Sequence, residues 1–200
     1  STGSTARGAA LESALLVCAL CSSVRLRKAG ASSPSSSPGG DGDNSAASSS
    51  SDSSDPDKLK APSGGNATEI ALQELVHKAC AAVPELESHM WGVWEERGEW
   101  GFDSTLKRMT TGWYSSSANA SVCLTKGAPE RVMPLCANVD QDTKQRLEQA
   151  ANAMARGGLR VLALARRDDL DLATVDSLPD IAREEVECNL RLVGLVAVRD

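Results

Sequence analysis

The chain has 200 residues, enough for one domain of ordinary size with its own core, which excludes a peptide hormone or a small disulfide-stapled protein. Its formal net charge of −6 argues against nucleic acid as the main partner, because phosphate backbones bind to basic surfaces. Aromatic residues make up only 3% and hydrophobic residues 41%, so we expect an aliphatic core of mixed helix and sheet.

The six cysteines are scattered through apolar stretches, as is typical of reduced core residues in a cytosolic protein. Cys18 and Cys21 have the spacing of a zinc knuckle, but the chain has no second Cys-x-x-Cys, and its two histidines lie far away without metal-ligand spacing. We therefore interpret both thiols as core residues.

No stretch approaches the roughly 20 apolar residues that cross a bilayer, so we expect a soluble chain. Because it begins with Ser1 and stops at Asp200, we interpret it as a piece of a longer protein. Residues 31–64 are mainly Ser, Pro, Gly and Asp, with too little apolar surface to offset the entropy of ordering. We predict one domain over residues 1–200 with a disordered insertion at 31–64, either a tolerated loop or a segment for serine phosphorylation.

Two apolar stripes predict helices that pack on the core. The first helix covers residues 11–22, and its stripe consists of Leu11, Leu15, Cys18, Ala19 and Ser22. The second begins at Asn66, which has capping-box spacing to Glu69, and ends at Pro84. Its stripe consists of Leu72, Leu75, Val76, Ala79, Cys80 and Val83. Glu69 lies in the first turn, where it either stabilises the helix dipole or contacts a ligand.

Residues 91–114 contain most of the aromatic side chains and predict strands separated by turns. At their centre, Phe102 and Met109 either pack into the core or form a flat apolar pocket for a purine, with Lys107 near its phosphates. Periodicity alone favours the core for Phe102 and Met109.

Residues 121–124 alternate like a strand, and Gly127 and Pro129 then break the pattern. Lys126 is therefore predicted to stand at the end of a strand, with its ammonium free to reach into a cleft. A lysine beside a glycine that admits a ligand is a candidate anion or nucleotide contact. Considered alone, the same position is more often a solvated surface charge.

The next part of the chain predicts three further helices. A short one covers residues 130–136, and a capping box of Asp142 and Gln145 opens a longer one that stops at Gly157-Gly158. The apolar positions of this longer helix are Leu147, Ala150, Ala151 and Met154. The last helix lies near residues 181–187.

Two further strands complete the pattern. The first covers residues 159–165, has Arg160 at its start and is followed by an exposed pair, Arg166 and Arg167. The second covers residues 190–198, which are mostly Leu and Val. Strands that come after helices in this mixed order predict an α+β sheet covered by helices.

Six motifs of the chain occur in the order seen in type II cation-pumping P-type ATPases. They are CALC at 18–21, TEIAL at 68–72, FDSTLKRMT at 102–110, KGAPE at 126–130, GLRVLALA at 158–165 and VECNLRLVGL at 186–195. The chain thus resembles the cytoplasmic nucleotide-binding domain of these pumps, over nearly everything except the serine-rich insertion. The resemblance implies an α+β fold with an antiparallel sheet flanked by helices, on the cytoplasmic side of a membrane.

The resemblance also implies an ATP site, whose adenine side is formed by four residues. The Glu matching Glu69 contacts the adenine side, and the Phe matching Phe102 stacks on the ring. The residues matching Lys107 and Met109 line the pocket. Calcium pumps often have an arginine where this chain has Ser104, so the resemblance does not carry the phosphate contact of that arginine over to Ser104.

The other side of the implied site lies at the end of the strand that contains residues 121–124. The Lys matching Lys126 sits deep in the pocket beside the Gly and Ala matching Gly127 and Ala128. The Arg and Leu matching Arg160 and Leu162 meet phosphate and ribose. One aromatic face, one acid and three cations are chemically suited to a polyanionic nucleotide.

In such pumps the phosphorylated aspartate lies in an Asp-Lys-Thr-Gly-Thr motif, which this chain lacks, so we expect ATP binding without turnover. Asp200 matches the start of the family's Asp-Pro-Pro-Arg hinge. The resemblance implies that the whole pump presents the γ-phosphate of ATP with Mg²⁺ to an aspartate of the phosphorylation domain, with that domain and the actuator domain as partners in the same polypeptide.

The motifs at 68–73 and 102–109 look most like those of sodium-exporting and related calcium-type pumps of fungi and protists. A second interpretation of the same fold is a module for regulation or partner docking, with the serine-rich segment as its contact. The combination of Glu69, Phe102, Lys107, Lys126 and Arg160 favours ATP binding over this second interpretation.

Overall fold

The computed structural model describes residues 2–22, 66–86 and 93–199, with side chains described from residue 8 onward. The predicted insertion at 31–64 and the start of the predicted strand region at Trp91 lie outside these residues. The described helices are α1 (Thr2–Leu20), α2 (Ala67–Ala82), α3 (Pro129–Val132), α4 (Gln141–Arg156), α5 (Leu172–Asp176) and α6 (Arg183–Val186). The described strands are β1 (Glu95–Asp103), β2 (Arg108–Ser115), β3 (Ala120–Gly127), β4 (Leu159–Arg167) and β5 (Arg191–Arg199).

Within the described residues, the five strands form one antiparallel sheet in the order β1-β2-β3-β4-β5. Turns join β1 to β2 and β2 to β3, whereas α3 and α4 lie between β3 and β4, and α5 and α6 between β4 and β5. The predicted α+β fold, an antiparallel sheet flanked by helices, is therefore confirmed.

The two faces of the sheet are covered by different helices, because side chains alternate along each strand. On one face, α1 and α2 pack on a core that includes Met109 and Leu124. On the other face, Cys123 packs with Val175 of α5 and Val186 of α6. We call these two surfaces the α1/α2 face and the α3–α6 face.

The helix α2 begins as predicted, since the Asn66 side chain accepts a hydrogen bond from the Glu69 backbone N–H at 3.0 Å. Its buried stripe contains Leu72, Val76 and Cys80. Two predicted stripe residues are wrong, because Leu75 and Val83 are 42% and 44% exposed. Leu75 lies on the exposed face of α2, and Val83 comes after the last residue of this helix.

The helix α1 starts at Thr2, well before the predicted residue 11. Leu11 was expected in the packed stripe but is 62% exposed, whereas Leu15 and every residue after it to Ser22 are buried. α1 contacts α2 as well as β3, β4 and β5, so burial at this end does not follow a single stripe. Cys18 and Cys21 are confirmed as core residues, and burial raises the pKa of the Cys18 thiol to about 12.

The helix α4 has a different cap from the one that we predicted. Asp140 has extended backbone geometry and accepts a hydrogen bond from the Thr143 N–H at 2.7 Å, so Asp140 is the N-cap. Asp142 lies in the first turn, and the expected box of Asp142 with Gln145 is wrong. The helix ends at Gly157, as predicted, and Gly158 has a φ of 77°, which glycine adopts without strain.

The predicted exposed pair at the end of β4 is also wrong. Arg166 and Arg167 belong to the strand, and their side chains are only 16% and 14% exposed. They pair with Asp168 and Asp169, the two carboxylates that come directly after them. Arg166 also donates to the Ser13 hydroxyl of α1 at 3.4 Å, and Arg167 donates to the Glu185 carbonyl of α6 at 2.9 Å. The two guanidinium groups are therefore held on opposite faces of the sheet rather than solvated.

The last helix is shorter than predicted, since α6 covers Arg183–Val186. The final strand is confirmed as β5. Among the helices that the structure describes, none combines the length and apolar character needed to cross a membrane.

Candidate functional site

A cavity of about 430 Å³ opens on the α1/α2 face, at the end of the sheet where β2 begins and β3 ends. The register brings its strand residues together, because Met109 pairs with Lys126 and Lys126 pairs with Leu164. The first turn of α2 and the first residues of β4 form the remaining walls. The cavity is therefore built from segments that are far apart in the sequence.

All ten candidate residues from the sequence line this one cavity. They are Glu69, Phe102, Ser104, Lys107, Met109, Lys126, Gly127, Ala128, Arg160 and Leu162. Three further lining residues, Asn66, Thr68 and Val161, were not anticipated. Asn66 is the recognised N-cap and Thr68 directly precedes Glu69, so their position beside Glu69 was a usable signal. Val161 alternates with Arg160 and Leu162 along β4 and gave no such signal.

Lys126 forms a buried ion pair with Glu69. The Lys126 ammonium lies 3.3 Å from the Glu69 carboxylate, and both side chains are 7% exposed. Lys126 lies near the end of β3 and lines the cavity, as predicted. The alternative of a solvated surface charge is wrong, because the side chain is buried against Glu69 in the first turn of α2. A buried charge requires a partner, and each residue supplies one to the other. Glu69 thus does more than stabilise the helix dipole.

Phe102 and Met109 adopt different roles in the cavity. Met109 is 1% exposed and belongs to the core beneath α1 and α2, while also forming part of the cavity wall. Phe102 is 64% exposed, so the core position that periodicity favoured for it is wrong. An aromatic ring at the rim of a cavity offers a flat face on which a planar ligand can stack.

Lys107 occupies the turn between β1 and β2 with a φ of 52°. Its carbonyl accepts a hydrogen bond from the Ala128 N–H at 2.9 Å, which joins this turn to the end of β3. A Cβ at Gly127 would overlap the Lys107 carbonyl oxygen and Arg108, so the close approach requires glycine. The Lys107 ammonium lies 3.5 Å from the Glu130 carboxylate at an exposed position.

The same turn is stabilised by Asp103. Its carboxylate accepts hydrogen bonds from the Leu106 N–H at 2.8 Å and the Thr105 N–H at 2.7 Å. These bonds hold the pKa of the Asp103 carboxyl below its ordinary value, because they stabilise the charged form. The turn that carries Ser104 and Lys107 is consequently fixed by local hydrogen bonds.

Residues 43–200 match the family model described as P-type ATPase, cytoplasmic domain N. The chain belongs to this family. It is 32% identical over 136 residues to a "Probable cation-transporting P-type ATPase" of Mycoplasma genitalium, an alignment that covers 68% of this chain and 14% of the relative. It is 28% identical over 141 residues to a "Probable cation-transporting ATPase I" of Mycobacterium leprae, covering 70% of this chain and 9% of the relative.

This N domain therefore corresponds to a small part of each of these relatives. Neither name specifies the cation that is transported. The recognition of a cytoplasmic N domain of a P-type ATPase is confirmed at the level of the family, whereas nucleotide binding and the calcium-type or sodium-exporting branch stay predictions.

The cavity of the N domain is basic although the whole chain is acidic. Its described lining includes the cations Lys107, Lys126 and Arg160 against the carboxylate of Glu69, whereas the chain has a net charge of −6. A concave site with an excess of cations attracts anions. A neighbouring cavity of about 450 Å³ has Glu130 and Glu148 as its charged lining residues and so does not suit an anion.

Proposed function

We propose that this N domain binds ATP for a P-type cation-transporting ATPase. The observation that carries the proposal is the combination, in one cavity, of the exposed Phe102 ring with the cations Lys107, Lys126 and Arg160. An adenine ring requires a flat apolar surface, and a polyphosphate chain requires several positive charges. A simple anion would not require the flat apolar surface, and a simple apolar ligand would not require the positive charges.

In this proposal Phe102 stacks on adenine, and Met109 and Leu162 form the apolar floor of the cavity. Lys126 and Glu69 act together, since their ion pair lets the lysine donate to the nucleotide while the carboxylate accepts from the adenine side. Lys107 and Arg160 meet the phosphates, and Ser104, Gly127 and Ala128 shape the remaining wall. Ser104 adds a hydroxyl rather than a charge near the phosphates.

We further propose that the domain acts by positioning. It holds ATP, with Mg²⁺ as part of the substrate, and presents the γ-phosphate to an aspartate of a phosphorylation domain elsewhere in the same polypeptide. Phosphate transfer to that aspartate then drives cation movement through membrane segments, with the actuator domain taking part. The N domain itself would lie on the cytoplasmic side of that membrane and would bind ATP without turnover.

The branch of the family is part of the proposal. The motifs at 68–73 and 102–109 favour a calcium-type or sodium-exporting pump.

The serine-rich residues 31–64 are proposed to be a tolerated insertion in a single N domain over residues 1–200. Deleting them should change the free energy of unfolding little, because loop-closure entropy depends weakly on length.

The test is a calorimetric titration of the 200-residue chain with ATP and then with GTP. We expect ATP to bind more tightly than GTP, with a dissociation constant between about one micromolar and one millimolar, or about −8 to −4 kcal/mol. Phe102→Ala should weaken ATP binding by about 1–3 kcal/mol, the range for stacking of a base on an aromatic ring.

The matched control is Leu75→Ala, which also truncates an exposed apolar side chain but lies outside the cavity lining. It should leave ATP affinity unchanged. A folded chain that does not bind ATP, or a Phe102→Ala variant with wild-type affinity, would contradict the assigned site and favour the docking module.

A further inference from the structure

A buried polar cluster lies on the α3–α6 face, and the proposed function does not use it. It is centred on Glu187, which is 1% exposed and lies between α6 and β5. The Glu187 carboxylate accepts hydrogen bonds from the Arg108 Nε and from the Thr110 hydroxyl, each at 2.7 Å. The Arg183 guanidinium lies 3.5 Å from the same carboxylate. We call these four residues the Glu187 cluster.

The cluster and the cavity lie on opposite faces of the same strand. Along β2, Arg108 and Thr110 point to Glu187, and Met109 between them points to the cavity, because side chains alternate. No member of the Glu187 cluster lines the cavity. The cluster therefore has no direct route to a bound nucleotide and can influence the site only through the backbone.

The backbone that the cluster holds is the hairpin from β1 to β2. Arg183 donates to the carbonyl oxygens of Trp100 and Gly101, each at 3.4 Å, and its guanidinium lies 5.4 Å from the centre of the Trp100 ring. Arg108 is the first residue of β2. Glu187 thus restrains both strands of the hairpin, immediately before Phe102 and immediately after Lys107.

We propose that Glu187 is a positioning residue for the nucleotide site, and this inference rests on the proposed ATP-binding function. The hairpin carries four of the ten candidate residues, which are Phe102, Ser104, Lys107 and Met109. The Arg108 guanidinium donates to the Glu187 carboxylate, and the Arg183 guanidinium lies 3.5 Å from it. Such charged contacts restrict orientation more than apolar packing does. The fixed hairpin keeps the Phe102 ring and the Lys107 ammonium at the separation that one nucleotide requires.

The first test uses Glu187→Gln, which keeps the shape of the side chain and removes its charge. We expect ATP affinity to fall about fivefold to tenfold, at a temperature where the variant is fully folded. Leu190→Ala is the matched control, because Leu190 is 1% exposed on the same face and packs in the separate cluster with Val132 and Cys136. Leu190→Ala should change ATP affinity less than twofold even where its loss of stability is greater.

The second test asks whether Glu187 acts through the hairpin. In a chain that already carries Lys107→Met, Glu187→Gln should cost clearly less ATP affinity than in the wild type, because the cation that it positions is gone. Without nucleotide, Glu187→Gln should also speed hydrogen exchange at the Lys107 and Ala128 amides, which bond to the Asp103 and Lys107 carbonyls at 2.6 and 2.9 Å. Leu190→Ala should leave both amides protected.

The outcomes separate the two proposals. If the wild type binds ATP but Glu187→Gln behaves like Leu190→Ala in affinity and exchange, the positioning role is overturned and the proposed function stands. If the wild type binds no ATP, the proposed function fails and the inference fails with it. Should Glu187→Gln not fold, Arg183→Gln replaces it, since it removes the donor to Trp100 and Gly101, and an affinity loss of about twofold to fivefold is then expected.

Discussion

The ammonium nitrogen of Lys126 lies 3.3 Å from a carboxylate oxygen of Glu69, across 57 residues of sequence. Both side chains are almost fully covered, so neither charge is compensated by bulk water. Removal of one partner therefore takes an opposite charge away from a buried group, whereas removal of both takes the two charges out of the interior together.

This relationship predicts strong coupling between the two residues. Lys126→Ala and Glu69→Ala should each lower the free energy of unfolding by about 3 kcal/mol, and the double variant should lose clearly less than the sum. Urea denaturation of the four proteins measures this. The exposed pair of Lys78 and Glu74 on α2 is the control, with an expected coupling of about 0.5 kcal/mol or less. Additive losses at Lys126 and Glu69 would contradict the buried pair.

The close approach of two backbone segments at Gly127 leads to a second prediction. Gly127→Ala should destabilise the chain by about 1–3 kcal/mol, because the added methyl group overlaps the Lys107 carbonyl oxygen and Arg108. The melting temperature from thermal denaturation measures this loss of stability. Gly194→Ala in β5 is the matched control, since a Cβ there meets no atom within 4 Å. Equal melting temperatures for the two variants would show that the turn at Lys107 moves to admit the methyl group without loss of stability.

The place of Lys107 at the cavity rim predicts an effect that depends on ligand charge. Lys107→Met should weaken ATP binding by about 1–3 kcal/mol and leave adenosine binding almost unchanged, since the ammonium is proposed to meet phosphates. Titrations with adenosine, AMP, ADP and ATP would show where along the series the loss begins. Lys78→Met, which neutralises an exposed lysine outside the cavity lining, should leave the affinity for all four ligands unchanged. If Lys107→Met weakened adenosine binding as much as ATP binding, the proposed contact of Lys107 with the phosphates would be wrong.

The N-cap of α4 predicts a dependence of stability on pH. The bonds from Thr143 lower the pKa of the Asp140 carboxyl in the folded chain. A depressed folded pKa means that this stabilisation is present above the ordinary value of 3.8 and is lost as the pH falls through the folded value. Asp140→Ala should therefore lower the melting temperature at about pH 7, and the difference from the wild type should shrink steadily as the pH falls below 3.8.

The comparison with Asp142→Ala makes this prediction specific. Asp142 is acidic and in the first turn of the same helix but does not form the cap. Its replacement should lower the melting temperature at neutral pH less than Asp140→Ala does. A larger decrease in melting temperature for Asp142→Ala than for Asp140→Ala would instead support the capping box of Asp142 with Gln145 that the sequence indicated.

Short-range features of this protein could be predicted from the sequence alone. The Asn66 cap, the glycine end of α4 and the strands β4 and β5 depend on neighbouring residues and on local periodicity. The ordered motifs also named ten residues that the structure places around one cavity. Each of these signals lies within a few residues of the feature that it specifies.

Only the tertiary structure decided which charges are buried and what they contact. From the sequence, Lys126 resembled a solvated strand end, but in the fold it is buried against Glu69 of α2. Arg166 and Arg167 were expected to be exposed, but in the fold they contact α1 and α6. The Glu187 cluster joins Arg108 to a carboxylate 79 residues later, a distance at which the sequence holds no local signal. Burial and pairing of a charge depend on which segments meet in space, and that is set by the packing of the whole sheet.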